Sequence, residues 1–471
     1  MVFRKYHELG LRIYNLFPKL IGSIDRWYDH IDRIKNMGFN WIYINPVSYT
    51  GFSGSLYAIK NHFKFNPIFA KPDCKDPYSW DDFKKFVEYL HKKDLQIMYD
   101  LVINHTSTDA DLVKEHPEWY LYKYAIIQKS TGFPCKFFSL DEDVVIIRNE
   151  FPPDEFEIQK RIASPYAIDP ADANKITIWG DLAELDYSEN AIYRDDLVNY
   201  FIDVLDFYLD LGIDGFRCDA AYKVPPDIWN MLISHTKSRD INYLFMAETL
   251  GCTLPELKRT MQADFDYINN SSKWWDFTAD WCVKQYNEFR IYAPSVGFPE
   301  SHDTERLAKE SGGRIDVQIF RYLFAAFFSA GVLMPLGYEY GFKKRINVVD
   351  MTPNDYETPQ FDISNEIKKI NQFKMNIKCL NEDGEITHFY YPDSNILLIR
   401  KTSLDEDQNL FMIYNKNWHN EYYVFLDNMK RYLPLNRPIY LIDLDNNKSI
   451  YNEHKFEKKL KPNEYVLFLQ E

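Results

Sequence analysis

Eight short apolar runs, most of them followed by a longer segment of helical period, limit what this chain can become more than any other feature. The runs fall at 12–17, 40–46, 96–105, 213–221, 243–250, 264–269, 295–303 and 332–337. Helix patterns occupy 23–36, 80–93, 191–211, 226–238, 254–261 and 315–330, with Ser23 and Ser79 as candidate N-caps. One more helix belongs between Asp264 and Ser295, where the period is weakest. Parallel strands need a crossover element between them, so this alternation predicts a parallel sheet with helices on its faces. Eight such units predict an α/β fold of the (β/α)8 TIM-barrel type.

Two stretches break the pattern. Residues 106–178 are rich in Pro, Asp, Lys and aromatics and lie between the third strand and the third helix. A connection that long is usually functional, and it predicts an inserted domain. From about Leu380 the period changes to two, with runs at 396–400, 410–415, 421–425, 438–441 and 465–470 separated by turn residues. These predict a C-terminal antiparallel β domain. The expected division is a catalytic barrel from 1–105 and 179–379, an inserted domain at 106–178 and a β domain at 380–471.

Charge and cysteine content narrow the function classes. Lys plus Arg is 55 against 70 Asp plus Glu, a net charge of −15. That disfavours nucleic acid and anionic membrane surfaces as partners, because phosphates need clustered cations. A neutral substrate is compatible, and 35 Tyr with 34 Phe supply rings on which sugar C–H faces stack, although most rings belong to the core. The six Cys, at 74, 135, 218, 252, 282 and 379, form no CxxC pair, so zinc and redox motifs are unsupported and a reducing compartment fits. The opening Met-Val-Phe-Arg-Lys-Tyr-His has no apolar run of the signal-peptide kind. The longest apolar stretch, 322–334, is too short to span a bilayer. The expectation is a soluble, cytoplasmic protein with oligomeric state left open.

In a barrel of this kind the active site lies at the C-terminal strand ends, so ionisable residues there are the candidates. The fourth strand ends GFRCDAA, placing Arg217 and Asp219 two apart on one face. Such proximity lowers a carboxylate pKa and suits an ionised nucleophile; alone, the pair reads first as a structural ion pair. The fifth strand ends Leu-Phe-Met-Ala-Glu248, where desolvation would keep a general acid protonated, unless Glu248 merely starts the next turn. The seventh brings His302 and Asp303. The third brings Asp100, Asn104 and His105, with Asp100, Val102 and Asn104 expected on one face and Asp100 placed to orient Arg217. Each His alone reads first as structural. Together, three carboxylates from different strands fit retaining glycoside chemistry, in which one attacks and another protonates at about 5–5.5 Å separation.

These four strand ends, in this order, resemble the motifs of glycoside hydrolase family 13, the α-amylase family: DLVINH at 100–105, GFRCDAA at 215–221, AE at 247–248 and SHD at 301–303. The resemblance covers roughly residues 10–375. It implies Asp219 as nucleophile, Glu248 as acid/base and Asp303 as the supporting carboxylate. It implies Arg217, His105 and His302 around the same sugar, and Tyr57 as a sugar-stacking ring. Glu184-Leu185-Asp186 is similar to a further family motif, or is a turn before the third helix. Ser301, Ala58, Tyr222 and Lys223 depart from the family pattern and point away from ordinary starch α-amylase specificity.

The expected activity is that of a retaining α-glucan-active glycosidase working on maltooligosaccharides or related sugars. Alternatives are an α-glucan transglycosylase, a maltosyltransferase using a sugar-phosphate donor, with Lys343-Lys344-Arg345 as a candidate basic pocket, and a non-catalytic α-amylase-fold binding protein. No cofactor is expected. No metal is expected either, because Asn104 has no partner cluster of ligand spacing in 106–178. Activity should therefore survive exhaustive chelation; a loss reversed by added calcium would overturn this expectation.

Overall fold

The computed structural model describes residues 10–132, 134–138, 151–169 and 172–471. The N-terminal heptapeptide and part of the expected insertion lie outside the described residues. The apolar runs form a closed barrel of eight parallel strands: β1 Arg12–Asn15, β2 Trp41–Ile44, β3 Gln96–Leu101, β4 Gly215–Cys218, β5 Leu244–Ala247, β6 Tyr267–Asn269, β7 Ser295–Gly297 and β8 Gly331–Pro335. They pair in chain order, and β8 returns to β1. The crossovers are α1 Tyr28–Asn36, α2 Asp81–Lys92, α3 Arg194–Asp210, α4 Pro226–Arg239, α5 Leu254–Thr260, α6 Trp281–Phe289 and α7 Ile315–Phe328, and α8 Ser364–Asn376 follows β8. The helix expected after Asp264 is α6. The eighth, α8, was not anticipated, although Ile367, Ile370 and Phe373 stand at helical spacing and are buried.

Strand parity sorts the side chains. Ile13, Trp41, Met98, Leu244, Met246 and Val296 turn inward and fill the barrel. The residues between them, such as Tyr99, Phe216 and Phe245, pack outward into the layer shared with the helices. Gly215 makes room for this interior: a Cβ there would stand 2.7 Å from Leu244 O and 3.3 Å from the Trp41 ring.

The third strand is shorter than its apolar run. Its pairing with β4 ends at Leu101, opposite Cys218, and the chain then leaves the barrel. His105–Ser107 forms a separate antiparallel ribbon with Leu182–Glu184, so the connection departs and returns side by side. Val102 and Asn104 therefore do not continue the face of Asp100. Between these points lie the strands Tyr122–Gln128, Pro134–Phe138 and Phe156–Ile162, in one antiparallel sheet, and the hairpin Tyr166–Asp169 with Asp172–Ile178. The proposed caps also differ. Trp80 caps α2 without a side-chain bond, while Ser79 Oγ accepts from Asp81 N at 3.1 Å. Ser23 precedes a 3-10 turn and its hydroxyl donates to Ala70 O.

The C-terminal part is a six-stranded antiparallel sheet in the order Ile386–Phe389, Ile396–Thr402, Asn409–Asn415, Tyr465–Gln470, Ile439–Ile442, Lys448–Ile450, beside a ribbon of Tyr422–Leu426 with Phe456–Leu460. The strands 386–389, 448–450 and 456–460 were not anticipated; Lys448–Ile450 is wholly exposed and carries no apolar alternation. No helix among the described residues is long and apolar enough to cross a membrane, and the run 322–334 is split between α7 and β8.

One carboxylate joins this sheet to the base of the barrel. Asp383 is buried and accepts from Ser295 N at 2.6 Å, Ser295 Oγ at 2.7 Å and Ala330 N at 2.7 Å, with buried Lys401 Nζ at 3.4 Å. Ser295 opens β7 and Ala330 immediately precedes β8. Asp383→Ala would leave the buried Lys401 ammonium with Phe328 O but without its countercharge, and two strand-end N–H groups without their side-chain acceptor, which costs about 3–5 kcal/mol. Chemical denaturation should show a loss of that order; a change within about 0.5 kcal/mol would show that the link is dispensable.

Candidate active site

Parity that fills the barrel with apolar side chains also sets the mouth. The inward series Met98 and Asp100, Gly215 and Arg217, Leu244 and Met246 runs to polar residues at the C-terminal ends, and Asp219 and Glu248 continue it one step beyond β4 and β5. Main-chain bonds hold those two residues in line: Asp219 N donates to Leu101 O and Glu248 N to Cys218 O, each at 3.0 Å.

Arg217 is the centre of the cluster. Its guanidinium is 4% exposed. Nη1 donates to both Asp100 oxygens at 3.0 Å and to Asp219 Oδ1 at 2.7 Å. Nη2 stands 3.9 Å from Glu248 Oε2 and 3.6 Å from Asp303 Oδ2. The expectation that Asp100 orients Arg217 is met geometrically. Burial disfavours the Arg217 charge, but Asp100, the Tyr43 and Tyr57 hydroxyls and Asp219 hold it protonated.

The carboxyl groups respond differently. Burial pushes Glu248 from its ordinary 4.5 up to about 8; Arg217 opposes this, and Asp219 and Asp303 add to it. Burial also raises Asp219, against the opposing Arg217. This corrects the sequence expectation of a lowered Asp219, because desolvation outweighs the neighbouring cation. Asp219 nevertheless has the short charge-assisted bond that Glu248 lacks. Glu248 instead accepts main-chain bonds from Ala220 N at 3.0 Å and from Leu250 N. Ala220, whose N–H makes this bond, is held at φ 41, a left-handed conformation costly for a residue with a Cβ.

The remaining candidates also converge. Tyr57 OH donates to Asp100 Oδ2 at 2.6 Å, bonds His302 Nε2 at 2.7 Å and accepts from Asn45 Nδ2 at 2.9 Å. Its ring lies parallel to that of His302. His302 Nε2 also stands 3.1 Å from Asp303 Oδ2. His105 Nε2 bonds Tyr57 O at 3.2 Å. Burial lowers His302 and pushes His105 down to about 4, so both rings are neutral. Asp303 differs from the others in being half-exposed. Asn104 is not drawn to Arg217; its carbonyl accepts from Leu185 N and its Oδ1 has no partner among the described residues. No group of three His, Cys, Asp or Glu suited to a metal occurs among the described residues.

Sequence reasoning missed Tyr43 and Asn45. Tyr43 OH bonds Asp100, and buried Asn45 holds Tyr57 and accepts from Asn15. Both follow the inward parity of β2, so the signal was available. The basic triplet 343–345 does not form one pocket. Lys344 pairs with Asp355, the Lys343 ammonium lies against Gly313, and Arg345 Nη2 donates to Asp303 O. Lys223 stands over the Tyr222 and Tyr166 rings, each at 5.3 Å, and Ser301 Oγ accepts from Asp303 N at 3.3 Å. Asp186 Oδ1 accepts from Ser188 N at 2.9 Å, a local turn.

A family model described as glycogen debranching enzyme, glucanotransferase domain, matches residues 7–125. The α-1,4-glucan:maltose-1-phosphate maltosyltransferase of Picrophilus torridus is 24% identical over 255 residues, covering 50% of this chain and 32% of that protein. Its counterpart from Burkholderia pseudomallei is 22% identical over 413 residues, covering 85% and 32%. The chain thus spans about a third of the length of these curated relatives. A crystal structure of an α-amylase from Geobacillus thermoleovorans superposes with a TM-score of 0.71 at 17% identity, covering all of both chains, and shows the same fold. The homologues and structural neighbours are α-amylase-family enzymes.

A carboxyl kept protonated by burial weakens folding. Folded Glu248 holds its proton up to about pH 8, whereas the unfolded chain releases it near 4.5, so stability from this group falls as pH rises between those values. Glu248→Gln removes the titration. Its melting temperature relative to the parent should climb across that window and level off above it; parallel curves for the two proteins would contradict the assignment of the proton.

Proposed function

From this kinship with α-amylase-family enzymes we propose that the protein is a retaining enzyme of α-glucosidic bonds, acting on neutral maltooligosaccharides or related sugars. The observation that carries the reading is one buried guanidinium shared by four carboxylates, with the least closely paired buried one, Glu248, held protonated beside Asp219.

In this reading Glu248 gives its proton to the glycosidic oxygen as the C–O bond breaks, and the Asp219 carboxylate attacks the anomeric carbon from the opposite face. The products of this step are a free sugar hydroxyl and a β-glycosyl ester on Asp219. Water or a sugar hydroxyl then attacks the same carbon, Glu248 takes back the proton, and Asp219 leaves as carboxylate. Two inversions give net retention. Arg217 stabilises the carboxylate before attack and after release. Asp303, His302 and His105 bind hydroxyls of the sugar at the cleavage point, and Tyr57 offers its ring face. We place the protein in the cytoplasm, a reading supported by six scattered cysteines that form no CxxC pair.

A sugar-phosphate donor is the second reading, favoured by relatives named for maltose 1-phosphate. Against it, the basic triplet disperses to three separate partners.

The test is turnover of a maltooligosaccharide panel with NMR of the first product. The α anomer is expected, and a β product would exclude double displacement. Asp219→Asn should fold as the parent does and lose at least about 10^4-fold in kcat; substantial residual activity would refute its role. Chromatography with maltose 1-phosphate as donor separates the two readings.

A further inference from the structure

The Asp303 carboxylate is loosely held. It is half-exposed, 3.1 Å from His302 Nε2 and 3.6 Å from Arg217 Nη2. Its place at the mouth is therefore set by its main chain, which sits at the tip of a loop six residues beyond β7. That loop is closed on itself by buried Glu300, which accepts from Arg306 Nη1 and from Leu307 N, both at 2.6 Å. Ser301 N donates to Thr304 Oγ1 at 2.9 Å inside the closure. Arg306, itself buried, then reaches the chain that follows β8, donating from Nη2 to Leu336 O at 2.9 Å and from Nε to Lys344 O at 3.1 Å.

The next residue makes the return connection. Arg345 donates from Nη2 to Asp303 O at 2.7 Å. Glu300, Arg306, Lys344, Arg345 and Asp303 thus form a ring of contacts between the two loops. A surface arginine paired with a surface carboxylate contributes little. Here the acceptor is the main-chain carbonyl of a residue at the mouth of the site, so the bond fixes position. Glu305, which also lies near Arg345, is paired with Lys309 at 2.8 Å.

We propose that Arg345 is a positioning residue for the glycosidic reaction: together with Arg306 it latches the loop after β7 to the loop after β8 and holds Asp303 at its distance from Arg217 and Glu248. The proposal rests on the functional reading above. It gives the third member of the basic triplet a role in placement rather than in anion binding.

Arg345 is exposed, so Arg345→Ala should fold normally, with a melting temperature within about 2 °C of the parent. On a maltooligosaccharide its kcat and kcat/KM should fall together by about 10- to 100-fold, as misplacement of a reaction-stage contact requires. Arg345→Lys, which keeps a donor, should recover part of the loss. The pH profile adds a readout that a structural role would not move. Glu248 is faced by Arg217, Asp219, Asp303, Tyr222 and Cys252, and Asp303 is one of the charges that raise it. A displaced Asp303 shifts the alkaline limb to lower pH, whereas mere deletion of a nearby cation shifts it higher. Parental kinetics, a rise in KM alone, or an upward shift of the limb would each overturn the latch. The crystallographic position of residues 300–307 in Arg345→Ala reads the latch without any assay. A displaced loop supports it and an unmoved loop overturns it, even if the parent proved inactive on α-glucans and the functional reading fell.

Discussion

One guanidinium has to answer four carboxylates at the mouth of this barrel, and the protonation pattern follows from that shortage. Arg217 lies in direct bonding distance of Asp100 and Asp219 and farther from Asp303 and Glu248. Buried carboxylates that cannot share a cation must be solvated, displaced or protonated. Asp303 reaches solvent. Glu248 does not, and for it a proton is the least costly neutralisation. Glu248 and Asp219 are in this way told apart by distance from a single cation, without a second positive residue. A lysine would not reproduce the arrangement, because one ammonium cannot reach four partners with the planar fork of an arginine.

The fold supplies all of that cluster except Asp303 by parity. Inward positions Met98, Gly215, Leu244 and Met246 are apolar, and the same alternation then presents Asp100, Arg217, Asp219 and Glu248. A register slip by one residue in β4 would send Arg217 and Asp219 into the layer occupied by Phe216 and Cys218. Trp41 and Met98 filling the interior are thus part of the site's precision, and Gly215 matters because it lets Trp41 fit.

What was legible in the sequence divides along the same line. Strand ends read by period two placed Arg217, Asp219, Glu248 and Asp100 correctly, since parity is a local property. The same rule applied to β2 would have found Tyr43 and Asn45. It failed at Asn104, because an apolar run carries no mark of where its neighbour stops pairing. Desolvation of Asp219 was invisible for a related reason: the sequence shows the adjacent cation but not the enclosure that outweighs it. Arg345 was noticed for its charge, yet its partner is a main-chain carbonyl some forty residues away, and no spacing rule encodes that. Helix α8 was overlooked although Ile367, Ile370 and Phe373 mark it.

The Asp383 link bears on the order in which the chain is made. The N-terminal ends of β7 and β8 are tied together by a side chain that follows them in sequence, with its countercharge later still at Lys401. A nascent chain that has just completed β8 therefore has eight strands but no clamp at the base of the last two. The clamp itself can form only after the strand that carries Lys401 has been made. Barrel and C-terminal sheet share one buried apolar layer, so a break placed between them would open that layer on both sides.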